Sequence, residues 1–206
     1  MYPLDLCPAC HAALPWMGHA CYQCALPLPV LASDTRCGSC QQTQAHLSAA
    51  TATFLYQWPV DILLRRFKFH GDLAAGRVLA LLMSYRFVPA SPDVPVLVPV
   101  PLHADRLRHR GYDQAAELAR PLAFALGIKC CPLLARPHAT AAQSSLVAAS
   151  RLSNVREAFQ CVAPAPVHVV LVDDVMTTGA TLQACAAAVR RAGALRVDAW
   201  VCARVP

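Results

Sequence analysis

The sequence predicts an α/β fold, a parallel sheet flanked by helices, with a small cysteine-rich module ahead of it. Three observations predict this. The β-branched run Val167-His168-Val169-Val170-Leu171-Val172 is too short for an ordinary helix and reads as a strand buried on both faces of a parallel sheet. After it come two carboxylates, then Thr177-Thr178-Gly179-Ala180-Thr181, then an Ala-rich segment at 182–192 with helical apolar spacing and Gly193 at the C-terminal cap position. Six of the eleven cysteines fall in three C-x-x-C pairs within the first 40 residues.

The order strand, acidic turn, helix start has a chemical consequence. In open α/β sheets, ligands sit at the carboxyl ends of strands, where loops meet helix starts. The amides and positive dipole end at Thr177, Thr178, Gly179, Ala180 and Thr181 suit a phosphate. Asp173 and Asp174 suit the opposite task, accepting hydrogen bonds from sugar hydroxyls or holding Mg²⁺ through its waters. A ligand bearing both a phosphate and a ribose diol satisfies both ends. The competing reading, a solvated acidic turn before a helix, leaves that order unexplained.

A chain of 206 residues allows one domain of moderate size and a small module. A hydrophobic share of 56% with 15% charged residues argues against disorder. No apolar run is long enough to span a bilayer, and the first residues lack a charged stretch followed by an apolar core. Those features predict a cytoplasmic protein without membrane insertion. The net charge of +6 rests on 16 Arg and only two Lys, Lys68 and Lys129. Arginine suits phosphate and stacking contacts, although a GC-rich coding sequence gives the same bias.

Eleven cysteines is an odd count, and in a cytoplasmic chain metal binding explains them better than disulfides. Two C-x-x-C pairs joined by a short loop wrap one Zn²⁺ tetrahedrally. Cys7/Cys10 with Cys21/Cys24 leaves a ten-residue loop, and Cys21/Cys24 with Cys37/Cys40 leaves twelve. Spacing leaves both pairings open, and Cys7/Cys10 has His11 and His19 nearby as further ligands. Cys130, Cys131, Cys161, Cys185 and Cys202 read as small core hydrophobes.

Residues 41–52 are polar and small and read as a linker. Helices are predicted over 61–70, stopped by Gly71, and over 73–87. Arg65, Arg66 and Lys68 form a basic run there, either a wet helical face or a nucleic-acid contact. Residues 96–101 read as the first strand of the sheet, 115–126 as a helix and 197–202 as a last strand. Arg106, Arg108 and Arg110 follow a strand's carboxyl end, where a second phosphate-bearing group is gripped. Residues 136–146 read as a lid and 151–159 as a short helix. The domain plan is a zinc-finger module at 1–45, a helical linker or hood at 46–90, and the ligand-binding domain at 91–206.

The run from Val169 through Asp173, Asp174 and Thr177 to Thr181 resembles the thirteen-residue phosphoribosyl pyrophosphate (PRPP) motif of type I phosphoribosyltransferases. Val98-Pro99-Val100-Pro101-Leu102-His103, the Arg110-Gly111-Tyr112-Asp113-Gln114 run and Thr140, Gln143, Leu146, Arg151, Asn154 and Phe159 extend the likeness over nearly the whole chain. Together they resemble the ComF/ComFC (GntX-like) family, which joins an N-terminal Cys zinc finger to a phosphoribosyltransferase domain. The resemblance implies a type I phosphoribosyltransferase-like sheet and a role in DNA uptake in natural transformation, with single-stranded DNA and other competence proteins as partners. It implies that Asp173 and Asp174 hold the ribose hydroxyls and that Thr177, Thr178, Gly179, Ala180 and Thr181 wrap the 5′-phosphate. Val100, Pro101 and Arg106 would meet pyrophosphate, with Mg²⁺ accompanying PRPP. Many members carry four C-x-x-C pairs, and the last two correspond to Cys21/Cys24 and Cys37/Cys40. The resemblance therefore selects these four as ligands of a structural Zn²⁺.

Thr177 stands where hypoxanthine-type transferases have an Asp, and a Thr is no proton acceptor near pH 7. The neighbouring lid offers only His138 and Arg136 for that task. Two functions follow: a PRPP-binding factor that handles single-stranded DNA, or an active transferase moving phosphoribose to an unidentified acceptor. A zinc protein with no ligand is the third reading.

Overall fold

The computed structural model describes residues 6–29, 35–87, 95–137 and 158–206. In chain order its elements are α1 (Pro8–Ala12), α2 (Gly38–Gln42), β1 (Ala49–Leu55), α3 (Val60–Phe69), α4 (Leu73–Arg86) and β2 (Val96–Pro99). Then follow α5 (Ala104–Arg110), α6 (Gln114–Leu126), β3 (Leu134–Ala135), β4 (Gln160–Cys161), β5 (His168–Met176), α7 (Ala180–Arg191) and β6 (Arg196–Arg204). β1, β6, β5 and β2 pair in that order into one sheet, and every pairing is parallel. β3 and β4 form a separate antiparallel pair.

A parallel sheet needs both faces covered, and hydrophobic strands supply both. Alternation along each strand sends Val170, Val172, Trp200 and Cys202 to one side, against Phe67 of α3, Leu79 and Met83 of α4, and Leu118 and Leu122 of α6. Val169, Leu171, Val197, Ala199 and Val201 face the other side, against Leu182, Cys185, Ala186 and Val189 of α7. The cysteine-rich segment reaches both sides, Met17 and Ala25 packing on this second one and Leu14 on the first. The sheet with flanking helices and an N-terminal four-cysteine cluster is the fold class that the sequence predicts.

Three local expectations change. Residues 41–52 are not a linker throughout, because β1 starts at Ala49 and forms an edge of the sheet, registered from Ala49 opposite Asp198 to Leu55 opposite Arg204. Its small, alternating Ala and Thr residues look soluble in sequence, yet Ala50, Ala52, Thr53 and Phe54 are buried. The Arg106 to Arg110 stretch, to which the sequence assigns no element, is a helix, α5: His103 caps its start and Gly111, at φ 79°, ends it. Finally, β5 runs on past Val172, so the acid pair lies within the strand, held there by pairing with β6 as far as Arg204.

Candidate functional site

Asp173 and Asp174 are neighbours near the carboxyl end of a central strand, and strand geometry points successive side chains to opposite faces. Asp174 meets the Lys68 ammonium of α3 at 2.9 Å and its charge reaches Cys202 beneath it. Asp173 faces the other way, toward Cys185 of α7 and Arg136. Burial and the neighbouring Asp174 carboxylate push Asp173 up to about 8, against the opposing pull of the Asp174 backbone N–H and Lys68. Asp174 thus has the Lys68 ammonium as its partner and Asp173 lies toward Arg136, and the oxygens of both can accept from the donor hydroxyls of a sugar or from the waters of a hydrated dication.

Both acids line a cleft of about 210 Å³ together with Val100, Pro101, Arg106 and Thr181. Lys68, Arg110 and Arg136 complete a cationic wall around it. Burial, and then the nearby Arg106, lower the Arg136 guanidinium below its ordinary range. Cations close above carboxylates are the arrangement that a polyphosphate with a metal ion would use.

The loop after β2 is held by a residue that the sequence reading left without a role. Asp113 caps α6 by accepting from Ala116 N–H at 3.0 Å, and its second oxygen accepts from Leu102 N–H at 2.9 Å. One carboxylate therefore starts a helix and fixes the backbone around Pro101. On α5, spacing of four residues puts Arg106 and Arg110 on one face, toward the cleft. Arg108 turns away and pairs with Asp105. Arg110 donates to the Gln114 side-chain oxygen at 2.9 Å.

Between β5 and α7 the Thr/Gly turn requires its glycine. Gly179 sits at φ 80°, and a Cβ there would come within 2.6 Å of Met176 Cε. Gly179 brings no capping side chain to the start of α7, and Ala180 N–H makes only a long bond of 3.4 Å to the Thr178 hydroxyl, so an anion can compete for the amides of this first turn. Thr177, Thr178, Ala180 and Thr181 are exposed around this turn, and Thr181 is the member that reaches the cleft lining.

In the N-terminal segment the Sγ atoms of Cys21, Cys24, Cys37 and Cys40 all lie within 4.8 Å of one another. Cys24 and Cys37 are 3.7 Å apart, close to the ~3.8 Å edge of a tetrahedron with metal–sulfur bonds of about 2.3 Å. Burial raises the Cys21 thiol, but N–H donation from Cys37, Gln23 and Cys24 outweighs it and holds the group down at about 7. Burial pushes Cys24 and Cys40 up. Four soft donors in this arrangement are positioned to bind a metal ion. Cys7 and Cys10 are exposed and join no such cluster among the described residues; the His11 ring packs on Trp16.

No model of a known family matches the chain. It is 33% identical over 208 residues to the DNA utilization protein YhgH of Salmonella typhi, covering 97% of this chain and 90% of that protein. It is 30% identical over 214 residues to competence protein F of Haemophilus influenzae, with the same coverage. The chain belongs to the ComF/ComFC family. Competence protein ComFC of Bacillus subtilis is 28% identical over 193 residues, 86% of this chain and 74% of that one. Among solved structures, the glutamine PRPP amidotransferase of B. subtilis matches with a TM-score of 0.45 and 22% identity, over 63% of this chain and 26% of that one.

This ComF/ComFC chain brings together more than its motifs announce. Lys68 was read as part of a basic surface run with Arg65 and Arg66, but the run is split: Arg65 pairs with Asp61 at 2.6 Å, Arg66 with Asp72 at 2.8 Å, and Lys68 enters the cleft. Tyr112 does not stand free for base stacking; its ring packs on Phe67 and its hydroxyl donates to the Phe67 carbonyl. His138, Arg151 and Asn154, and most of the expected lid, lie outside the described residues.

Proposed function

We propose that this protein binds PRPP with Mg²⁺ in the cleft at the carboxyl end of β5 and acts in the handling of single-stranded DNA during competence, together with other competence proteins. The observation that carries the reading is the convergence, in one cleft, of the acid pair, the loop after β2 and the first turn of α7. In this reading Asp173 and Asp174 accept hydrogen bonds from the ribose 2′ and 3′ hydroxyls and hold Mg²⁺ through its waters. The Thr177, Thr178, Gly179, Ala180 and Thr181 turn donates N–H and O–H groups to the 5′-phosphate. Val100, Pro101 and Arg106 face the pyrophosphate, and Arg110 adds positive charge. The names of its relatives, DNA utilization and competence proteins, supply the competence half. The four-cysteine cluster is assigned a structural Zn²⁺, whose chemistry there is cross-linking two knuckles. No helix among the described residues is long and apolar enough to cross a membrane, which fits a cytoplasmic site of action.

The second reading is turnover, in which an acceptor displaces pyrophosphate at C1 of PRPP. A separate cavity bordering the cleft, lined by Phe69 and Arg110, favours it by offering room for an acceptor. Calorimetry with Mg²⁺ and PRPP tests the shared foundation. The native protein gives a saturable heat, and the Asp173→Asn/Asp174→Asn variant loses at least about tenfold in affinity. Equal binding by the two proteins removes the assignment. Release of pyrophosphate with an added acceptor then separates transferase from binding protein.

A further inference from the structure

We propose that the cavity beside the cleft is an acceptor subsite for a planar anion, an aromatic or heteroaromatic carboxylate. The inference deepens the PRPP reading and rests on it for the word acceptor. The cavity has a volume of about 400 Å³, within the usual range for small-molecule sites, and shares Lys68, Arg106 and Arg110 with the PRPP cleft. A ligand here lies against the same side chains that face pyrophosphate.

Two properties of the lining define the ligand. The first is charge. Arg106 and Arg110 face the cavity beside Lys68, whose charge Asp174 already meets, and the carboxylate in its lining, Asp105, is paired with Arg108. One anionic group is therefore matched here, and a neutral ligand wastes the field. The second is a flat apolar platform. Phe69, the last residue of α3, is 66% exposed, so core packing does not account for it. The Arg110 guanidinium sits 5.2 Å from the centre of its ring, fixing that side chain where it serves both the stack and the anion. A bare phosphate or pyrophosphate uses the cations and ignores the ring. A planar carboxylate uses both.

Matched pairs of probes test this first on the native protein: benzoate against benzamide and orotate against uracil, by titration with and without Mg²⁺ and PRPP. The carboxylate of each pair binds about tenfold or more tightly. Arg110→Gln brings each pair together, while Phe69→Leu weakens both members alike, by about threefold. Thermal melting of each variant verifies its fold. Equal affinities of benzoate and benzamide in the native protein overturn the proposal. So does competitive displacement of orotate by pyrophosphate with no effect of Phe69→Leu, which gives the cavity to the leaving group. Retention of a single-stranded oligonucleotide through Phe69 and Arg110, with no carboxylate bound, overturns it too. Saturable PRPP binding without discrimination between the pairs sinks this proposal alone. Discrimination without any PRPP binding keeps the planar-anion site and overturns the PRPP reading beneath it.

Discussion

Asp173 and Asp174 are adjacent in the chain but differ in surroundings, and that difference is measurable. Asp174 has Lys68 at 2.9 Å, whereas Asp173 is pushed up to about 8 by burial and by Asp174. An unfolded Asp titrates near ~3.9, so between about pH 4 and about pH 8 the folded protein binds more protons at this residue than the unfolded chain. Its contribution to stability therefore falls as pH rises through that window and is lowest above the folded value. Asp173→Asn removes this slope: the melting temperature of the ligand-free variant rises relative to native at pH 8 and matches it at pH 4. An unchanged difference between the two pH values contradicts the assignment. The acid pair itself was legible in the sequence because a β-branched run, two acids and a Thr/Gly turn occur in one order. Lys68 was not, since a lysine on an amphipathic helix looks the same whether its ammonium meets water or a carboxylate from a strand more than 100 residues away.

At the scale of elements, strong local signals were readable and weak ones were not. Gly127, at φ 65°, ends α6 where the sequence placed a stop, and Asp113 caps its start. β1 escaped because alternating Ala and Thr give a faint strand pattern, and its place at an edge is decided by pairing with β6. α5 escaped because seven residues dense in Arg show no apolar repeat of helical period. The helix sorts its arginines, and this yields a contrast that a basic loop would not. Arg106→Gln lowers Mg²⁺·PRPP affinity about tenfold, while Arg108→Gln, whose partner is the exposed Asp105, stays within about twofold of native. Equal losses from both substitutions, measured by calorimetry, argue against the orientation described for α5.

Over the whole molecule, the sheet lies between α3, α4 and α6 on one side and α7 on the other, and the cysteine-rich segment wraps its edge, with Leu14 on the first side and Met17 and Ala25 on the second. One buried side chain joins that segment to the ligand end of the sheet. Arg204 donates to the Cys24 carbonyl at 2.9 Å and to the Met176 carbonyl, directly before the Thr/Gly turn, at 3.4 Å. No sequence pattern announces this link, because its ends are 180 residues apart. Loss of the metal proposed for the four cysteines, by chelation or Cys37→Ser, frees the Cys24 knuckle and weakens PRPP binding several-fold, about 1 kcal/mol for one hydrogen bond. Arg204→Met gives a loss of the same size with the metal content unchanged. Native affinity in the chelated protein rejects the link.

The central claim is that one phosphorylated pentose is held at both ends, its hydroxyls by the acid pair and its phosphate by the turn. Comparing ribose 5-phosphate with 2-deoxyribose 5-phosphate in competition against Mg²⁺·PRPP tests it most directly. The native protein prefers the ribose compound by about tenfold, the worth of a hydrogen bond to a charged acceptor. The Asp173→Asn/Asp174→Asn variant loses that preference while still binding both sugars weakly through their phosphates. Equal competition by the two sugars in the native protein contradicts the account.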